Sequence, residues 1–87
     1  MNSKQRKTLN KIFALPTRSD IQWNDIESLL LALGAEITEG KGSRVRIALK
    51  GVRAVLHRPH PKKETDKGSI NSIKRFLIEC GVSIDEV

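Results

Sequence analysis

Eighty-seven residues with sixteen lysines and arginines against ten aspartates and glutamates make one basic domain, too short for a second core or for a deep pocket around a bulky cofactor. Only Phe13, Trp23 and Phe76 are aromatic, so the core expected is modest and aliphatic. No apolar run reaches bilayer-crossing length, no signal-peptide pattern opens the chain, and the single Cys80 excludes an internal disulfide framework; a cytoplasmic protein without membrane contact is expected.

Residues 3–15 read as a first helix, capped by Ser3, with Leu9, Ile12 and Phe13 as a short apolar patch and Pro16 as its stop. A polar connector, Thr17 to Asp20, leads to a second helix from about Trp23 to Leu33. There Trp23, Ile26, Leu29, Leu30 and Leu33 form one stripe, and Gly34 ends it. The period then changes from helical to alternating. Ala35 to Glu39 is a first strand, Gly40-Lys41-Gly42 a turn, Ser43 to Leu49 a second strand and Val52 to Arg58 a third. Arg58-Pro59-His60-Pro61-Lys62-Lys63 is a stiff basic loop. A last helix begins near Ser69, taken as its cap, and runs to Cys80 on the stripe Ile70, Ile73, Phe76, Leu77 and Cys80. Gly81 ends it, and residues 82–87 form a short tail. The order α-α-β-β-β-α predicts an α+β fold, a three-stranded antiparallel sheet with helices on one face.

Strand register follows from the turns. A two-residue Lys50-Gly51 loop sets Leu49 opposite Val52, Ile47 opposite Ala54 and Val45 opposite Leu56, so every inward apolar residue meets another. The same register sets Arg44 opposite His57 on the other face. A three-residue loop at 40–42 sets Glu36 opposite Arg46 and Thr38 opposite Arg44. Charge agrees with this division. Residues 41–63 hold eight bases and no acid, and 1–18 hold five bases and no acid, whereas 19–40 hold five acids and no base. The outer sheet face is therefore expected to be cationic and suited to a polyanion.

Three segments, in order, resemble the HicA family of toxins. Leu29-Leu30-Leu31-Ala32-Leu33-Gly34-Ala35 is similar to the family's helix that ends in glycine before a strand. Lys41-Gly42-Ser43 ahead of an alternating strand resembles its Gly-Ser turn. Pro59-His60-Pro61-Lys62-Lys63-Glu64, followed by Lys67-Gly68-Ser69-Ile70, resembles its Pro-His-Pro loop and helix start. The resemblance covers residues 21–82 and leaves 1–18 as an additional N-terminal helix. It implies a fold like the double-stranded-RNA-binding domain, endoribonuclease (mRNA interferase) activity on mRNA, and neutralisation by a HicB-type antitoxin. It also implies a catalytic histidine directly after Gly-Ser. Here that position is Arg44, and an arginine stays protonated at cellular pH, so that role does not transfer to it.

The residues themselves offer a substitute. Metal-free RNA cleavage needs a base for the 2′-hydroxyl, an acid for the leaving 5′-oxygen and cations for the charged phosphorane. Histidine suits the proton transfers and arginine suits phosphate. His57, opposed to Arg44, and His60 in the loop are the catalytic candidates. Arg44, Arg46, Arg53, Arg58, Lys62 and Lys63 are the RNA and phosphate binders, the two lysines beside the Ser69 helix start. Gly42, Ser43, Gly68 and Ser69 shape the turn and the helix start. His57, His60 and Cys80 lack ligand spacing, so no metal or other cofactor is expected. With the aromatics on core stripes, recognition through backbone and 2′-hydroxyls is expected, with little base reading. The rival reading is a catalytically inactive RNA-binding module on the same fold.

Overall fold

Lys50 and Gly51 both occupy the left-handed region, at φ 50° and 80°, the geometry of a two-residue turn whose twist matches that of the flanking strands. This turn joins β3 (Arg44–Leu49) to β4 (Val52–His57). It produces the expected register, with Leu49 against Val52, Ile47 against Ala54, Val45 against Leu56 and Arg44 against His57. The computed structural model describes residues 1–84; Asp85, Glu86 and Val87, the end of the expected tail, lie outside the described residues.

The third strand, β2 (Glu36–Glu39), pairs antiparallel with β3, giving the order β2-β3-β4. Its register corrects the expectation. Glu36 lies opposite Ala48 and Thr38 opposite Arg46. The loop has the expected three residues but sits one position later, at Lys41-Gly42-Ser43, closed by the Gly40 N–H donating to the Arg44 carbonyl at 2.9 Å. Moving a loop by one residue slides the partner strand by two, so each side chain keeps its face and changes its neighbour.

Helices cover the inner face. α2 (Trp23–Ala32) and α3 (Lys67–Glu79) contribute Ile26, Leu29, Leu30, Ile70, Ile73 and Leu77, which share one buried cluster with Val45, Ile47, Leu49 and Leu56 of the sheet. Both helices close in the same way. Ala35 N–H donates to the Leu30 carbonyl and Gly34 N–H to Leu31; Val82 N–H donates to Leu77 and Gly81 N–H to Ile78. These paired bonds turn the chain sharply and satisfy the last carbonyls. Val82, assigned above to a short tail, is thereby buried in the core.

The helix starts also differ from expectation. α1 (Ser3–Phe13) is capped by Asn2 rather than Ser3. The Asn2 Oδ1 accepts from the Gln5 N–H and the Gln5 Oε1 accepts from the Asn2 N–H, both at 2.9 Å, a reciprocal box that a cap at Ser3 would forgo. α1 stops at Phe13, with Ala14 extended, because Pro16 disfavours helical geometry in the residue before it. α3 starts two residues before Ser69, with Asp66 as its N-cap. The Ile70 N–H already bonds the Asp66 carbonyl at 3.0 Å, so Gly68 and Ser69 lie within the first turn.

Two further features were not expected. Ile21–Gln22 (β1) and Glu64–Thr65 (β5) form a short antiparallel ladder, which fastens the Pro-His-Pro loop to the start of α2. α1 packs on α2 and α3 and places Leu9 and Ile12 in the common core. The Gln5 Nε2 donates to the Ser28 Oγ at 2.9 Å. Leu9 is completely buried, so Leu9→Ala is expected to cost about 2–5 kcal/mol in chemical denaturation. A loss of only a few tenths would mean that α1 is a loosely held appendage.

Candidate nucleic-acid interface

The Arg58 N–H donates to the Ser43 carbonyl at 2.9 Å, which makes Ser43–Arg58 a hydrogen-bonded pair. Antiparallel pairs alternate, so Arg44–His57, Arg46–Val55 and Ala48–Arg53 are the non-hydrogen-bonded kind, whose side chains approach most closely. All three pairs face away from the helices. With β2 added, the outer face is a lattice of three rows: Glu36–Ala48–Arg53, Thr38–Arg46–Val55 and Gly40–Arg44–His57. Arg44, Arg46, Arg53 and His57 are all exposed, and none of the three arginines has an ion-pair partner among the described residues.

Gly40 opens one end of this face. A Cβ there would sit 3.3 Å from the Cβ of Arg44, tighter than strand neighbours normally pack, so the glycine leaves room beside the Arg44–His57 pair. At the other end lies a hollow of about 470 Å³, lined by Glu36, Thr38, Arg46, Ala48, Arg53 and Val55 together with the backbone-facing Ile47 and Ala54. The sequence placed Glu36 and Thr38 on this face but named none of Glu36, Thr38, Gly40, Ala48 and Val55 as a site residue. Their grouping depends on the β2 register, for which the local pattern carried only an approximate loop position.

Arg58 belongs elsewhere. Expected among the phosphate binders, it has the strand parity of Val52, Ala54 and Leu56 and so turns toward the helices. There its guanidinium is held between Glu27 of α2, at 3.3 Å, and Glu39 at the end of β2. The Trp23 indole N–H donates to the same Glu27 carboxylate. The hydrogen bond to Glu39, more than that to Glu27, raises the Arg58 pKa above its ordinary value. Alternation along β4 was the signal that would have found this. A charge at an inner rim position needs carboxylate partners, and the acidic block at 19–40 supplies them.

The remaining candidates flank the sheet. His60, Lys62 and Lys63 are exposed on the loop after β4. The Lys63 carbonyl accepts from the Trp23 N–H at 3.0 Å, and a hollow of about 260 Å³ beside Lys62 and Lys63 opens on Gln22, Trp23 and Asn24. The lysines therefore lie against the first turn of α2, whereas the Ser69 turn of α3 was expected. Gly42 occupies the β2–β3 turn at φ 65°. Ser43 acts through its carbonyl, which anchors Arg58. Cys80 is buried, its thiol donating to the Leu49 carbonyl at 3.3 Å, and does not approach the histidines. Among the described residues no three His, Cys, Asp or Glu side chains converge as a metal site, and no helix is long and apolar enough to cross a membrane.

A three-stranded antiparallel sheet covered by helices on one side is an α+β arrangement like that of the double-stranded-RNA-binding domain. A family model described as the HicA toxin of bacterial toxin-antitoxin matches residues 23–82, from the first residue of α2 to the buried Val82. The chain belongs to the HicA toxin family and is the toxin of a toxin–antitoxin pair. The matched span leaves α1 and β1 outside it. No curated protein and no solved structure matches the chain.

Two outcomes follow from this geometry. Glu27 and Arg58 are each about a quarter to a third exposed, so a double-mutant cycle of Glu27→Gln and Arg58→Met is expected to show a coupling of about 1 kcal/mol. No coupling would mean that the clamp is only a surface contact. Burial pushes the Cys80 thiol pKa up. The folded thiol therefore holds less thiolate than a free cysteine at the same pH, and with its burial, alkylation at pH 8.5 should run slower than in the denatured chain.

Proposed function

We propose that this toxin is an mRNA interferase of the cytoplasm, which binds mRNA on the outer sheet face, cleaves it without a metal and is neutralised by a HicB-type antitoxin. The observation that carries this reading is the Arg44–His57 pair, exposed, closely spaced and left open by Gly40. The family is generally one of endoribonuclease toxins, and a histidine for the base and arginines for the phosphate stand together on this face. The His57 imidazole takes the proton of a ribose 2′-hydroxyl. The freed oxygen bonds to the adjacent phosphorus, the bond from phosphorus to the 5′-oxygen breaks, and a proton is returned to that oxygen. The products are a 2′,3′-cyclic phosphate and a 5′-hydroxyl. His60, on the loop that follows His57 in the chain, is assigned the acid role. Arg44 and Arg46 bind the non-bridging oxygens, where guanidinium forks stabilise the added charge of the phosphorane. Arg53, Lys62 and Lys63 hold neighbouring phosphates, and Arg58 positions the loop.

A second reading has one observation in its favour. Arg44 stands where the family resemblance places a histidine, and a protein that has lost its catalytic base while keeping its cations would bind RNA without cutting it. Induced expression with mapping of transcript ends separates the two. Active wild type, with His57→Ala reducing cleavage about a hundredfold or more in a folded protein, supports the interferase. Salt-sensitive RNA binding with no cut ends from wild type supports the inactive module. Undiminished cleavage by His57→Ala removes His57 from the mechanism.

A further inference from the structure

The row Glu36–Ala48–Arg53 differs from the other two. Its centre is a methyl group, and it is flanked by a carboxylate on one strand and a guanidinium on the other, two strand spacings apart, about 9.6 Å between backbones. It forms part of the 470 Å³ hollow, beside Val55, which is 56% exposed and supplies an apolar wall. Glu36 has no ion-pair partner among the described residues, although Arg46 and Arg53 line the same hollow. On a face that meets only phosphates, an unneutralised carboxylate is repulsive and weakens binding. Its presence is accounted for if what lies over it donates hydrogen bonds, and in RNA the donors at hand are the base edges.

We infer that the hollow over Ala48 is a subsite for an unpaired guanine of the RNA. The inference rests on the RNA-cleaving reading above and adds base selectivity to it. Guanine carries two adjacent donors, N1–H and the N2 amino group, which match the two oxygens of one carboxylate. Its O6 and N7 form an acceptor pair suited to a guanidinium. Laid on the Ala48 methyl, the base directs its donors to Glu36 and its acceptors to Arg53. Adenine and cytosine each set a single amino group beside a ring-nitrogen acceptor, and uracil sets its one N–H between two carbonyls, so each of these leaves the carboxylate repelled or half-paired. Because the Watson–Crick edge is consumed, the guanine must be unpaired. Ala48 lies four residues from Arg44 along β3, about 13 Å, so the base read is displaced along the strand from the bond cut.

Fluorescence anisotropy on short oligouridines with 2′-fluoro sugars, which lack the attacking hydroxyl, tests this in the full chain. The sequences carry at one position guanine, hypoxanthine (which lacks the N2 amino group) or uracil. Wild type is expected to bind the guanine oligonucleotide about tenfold more tightly than the uracil one, with hypoxanthine losing most of the gain. Glu36→Gln should abolish the preference without weakening binding to the uracil oligonucleotide. Ala48→Ile, which fills the hollow with a residue favoured in strands, should abolish it as well. Equal affinity of wild type for all three sequences, or a preference that survives Glu36→Gln, overturns the subsite and leaves the interferase reading standing. A guanine preference in a protein that cuts no ordinary RNA upholds the subsite and removes the catalysis. No binding to any sequence overturns both.

Discussion

The two-residue turn at Lys50-Gly51 governs the rest of the structure. Its twist sets Val45, Ile47 and Leu49 against Leu56, Ala54 and Val52 on the inner side, and that pairing sends Arg44, Arg46, Arg53 and His57 to the opposite side together. Slippage by one residue would bury the cations and expose Val45, Ile47 and Leu49, a loss of several buried side chains at about 1.5–3 kcal/mol each. The core and the cationic face are thus two results of one register.

Once the sheet has a dry side, the helices are committed to it. α2 and α3 bring apolar stripes and α1 packs on both, so among the described residues all three helices lie on that side and none shields the other. The acids of residues 19–40 do not neutralise that face either. Glu27 and Glu39 are held by Arg58, Asp25 lies 3.4 Å from Lys4 and Asp20 pairs with Arg18. Of the five acids in residues 19–40, Glu36 is the one that lies among the outer-face arginines. A net basic composition becomes a directed basic surface because four of the five acids of residues 19–40 are engaged in ion pairs away from the outer sheet face.

That distribution also links the fold to the family's biology. In the reading proposed above, the cations offered to a nucleic acid are those the sheet leaves exposed on its outer face. The sheet presents Arg44 and His57 as a close pair with free space at Gly40, while the loop bearing His60, Lys62 and Lys63 is held at its base by the β1–β5 ladder and the Arg58 clamp. The positions that act on a substrate in this reading thus rest on a strand pair and a fastened loop, both supported by the core beneath.

How much of this could be read without coordinates depends on the range of each interaction. The β3–β4 register, the helical stripes, the glycine stops and the cationic face were legible because each arises within a few residues, from a tight turn or a repeating apolar period. The β2 register was missed by two residues, since a three-residue loop can close at either of two neighbouring positions and only the packed sheet decides between them. Asn2 displaced Ser3 as a cap for a local reason, its reciprocal bond with Gln5. The β1–β5 ladder, the clamp of Arg58 between Glu27 and Glu39, and the meeting of Glu36, Ala48 and Arg53 over one hollow join residues far apart in the chain. The amino-acid order by itself determined which residues face inward and which carry charge outward; only the tertiary structure decided which of those charges are paired, because pairing is a matter of distance between elements and periodicity carries no information about that.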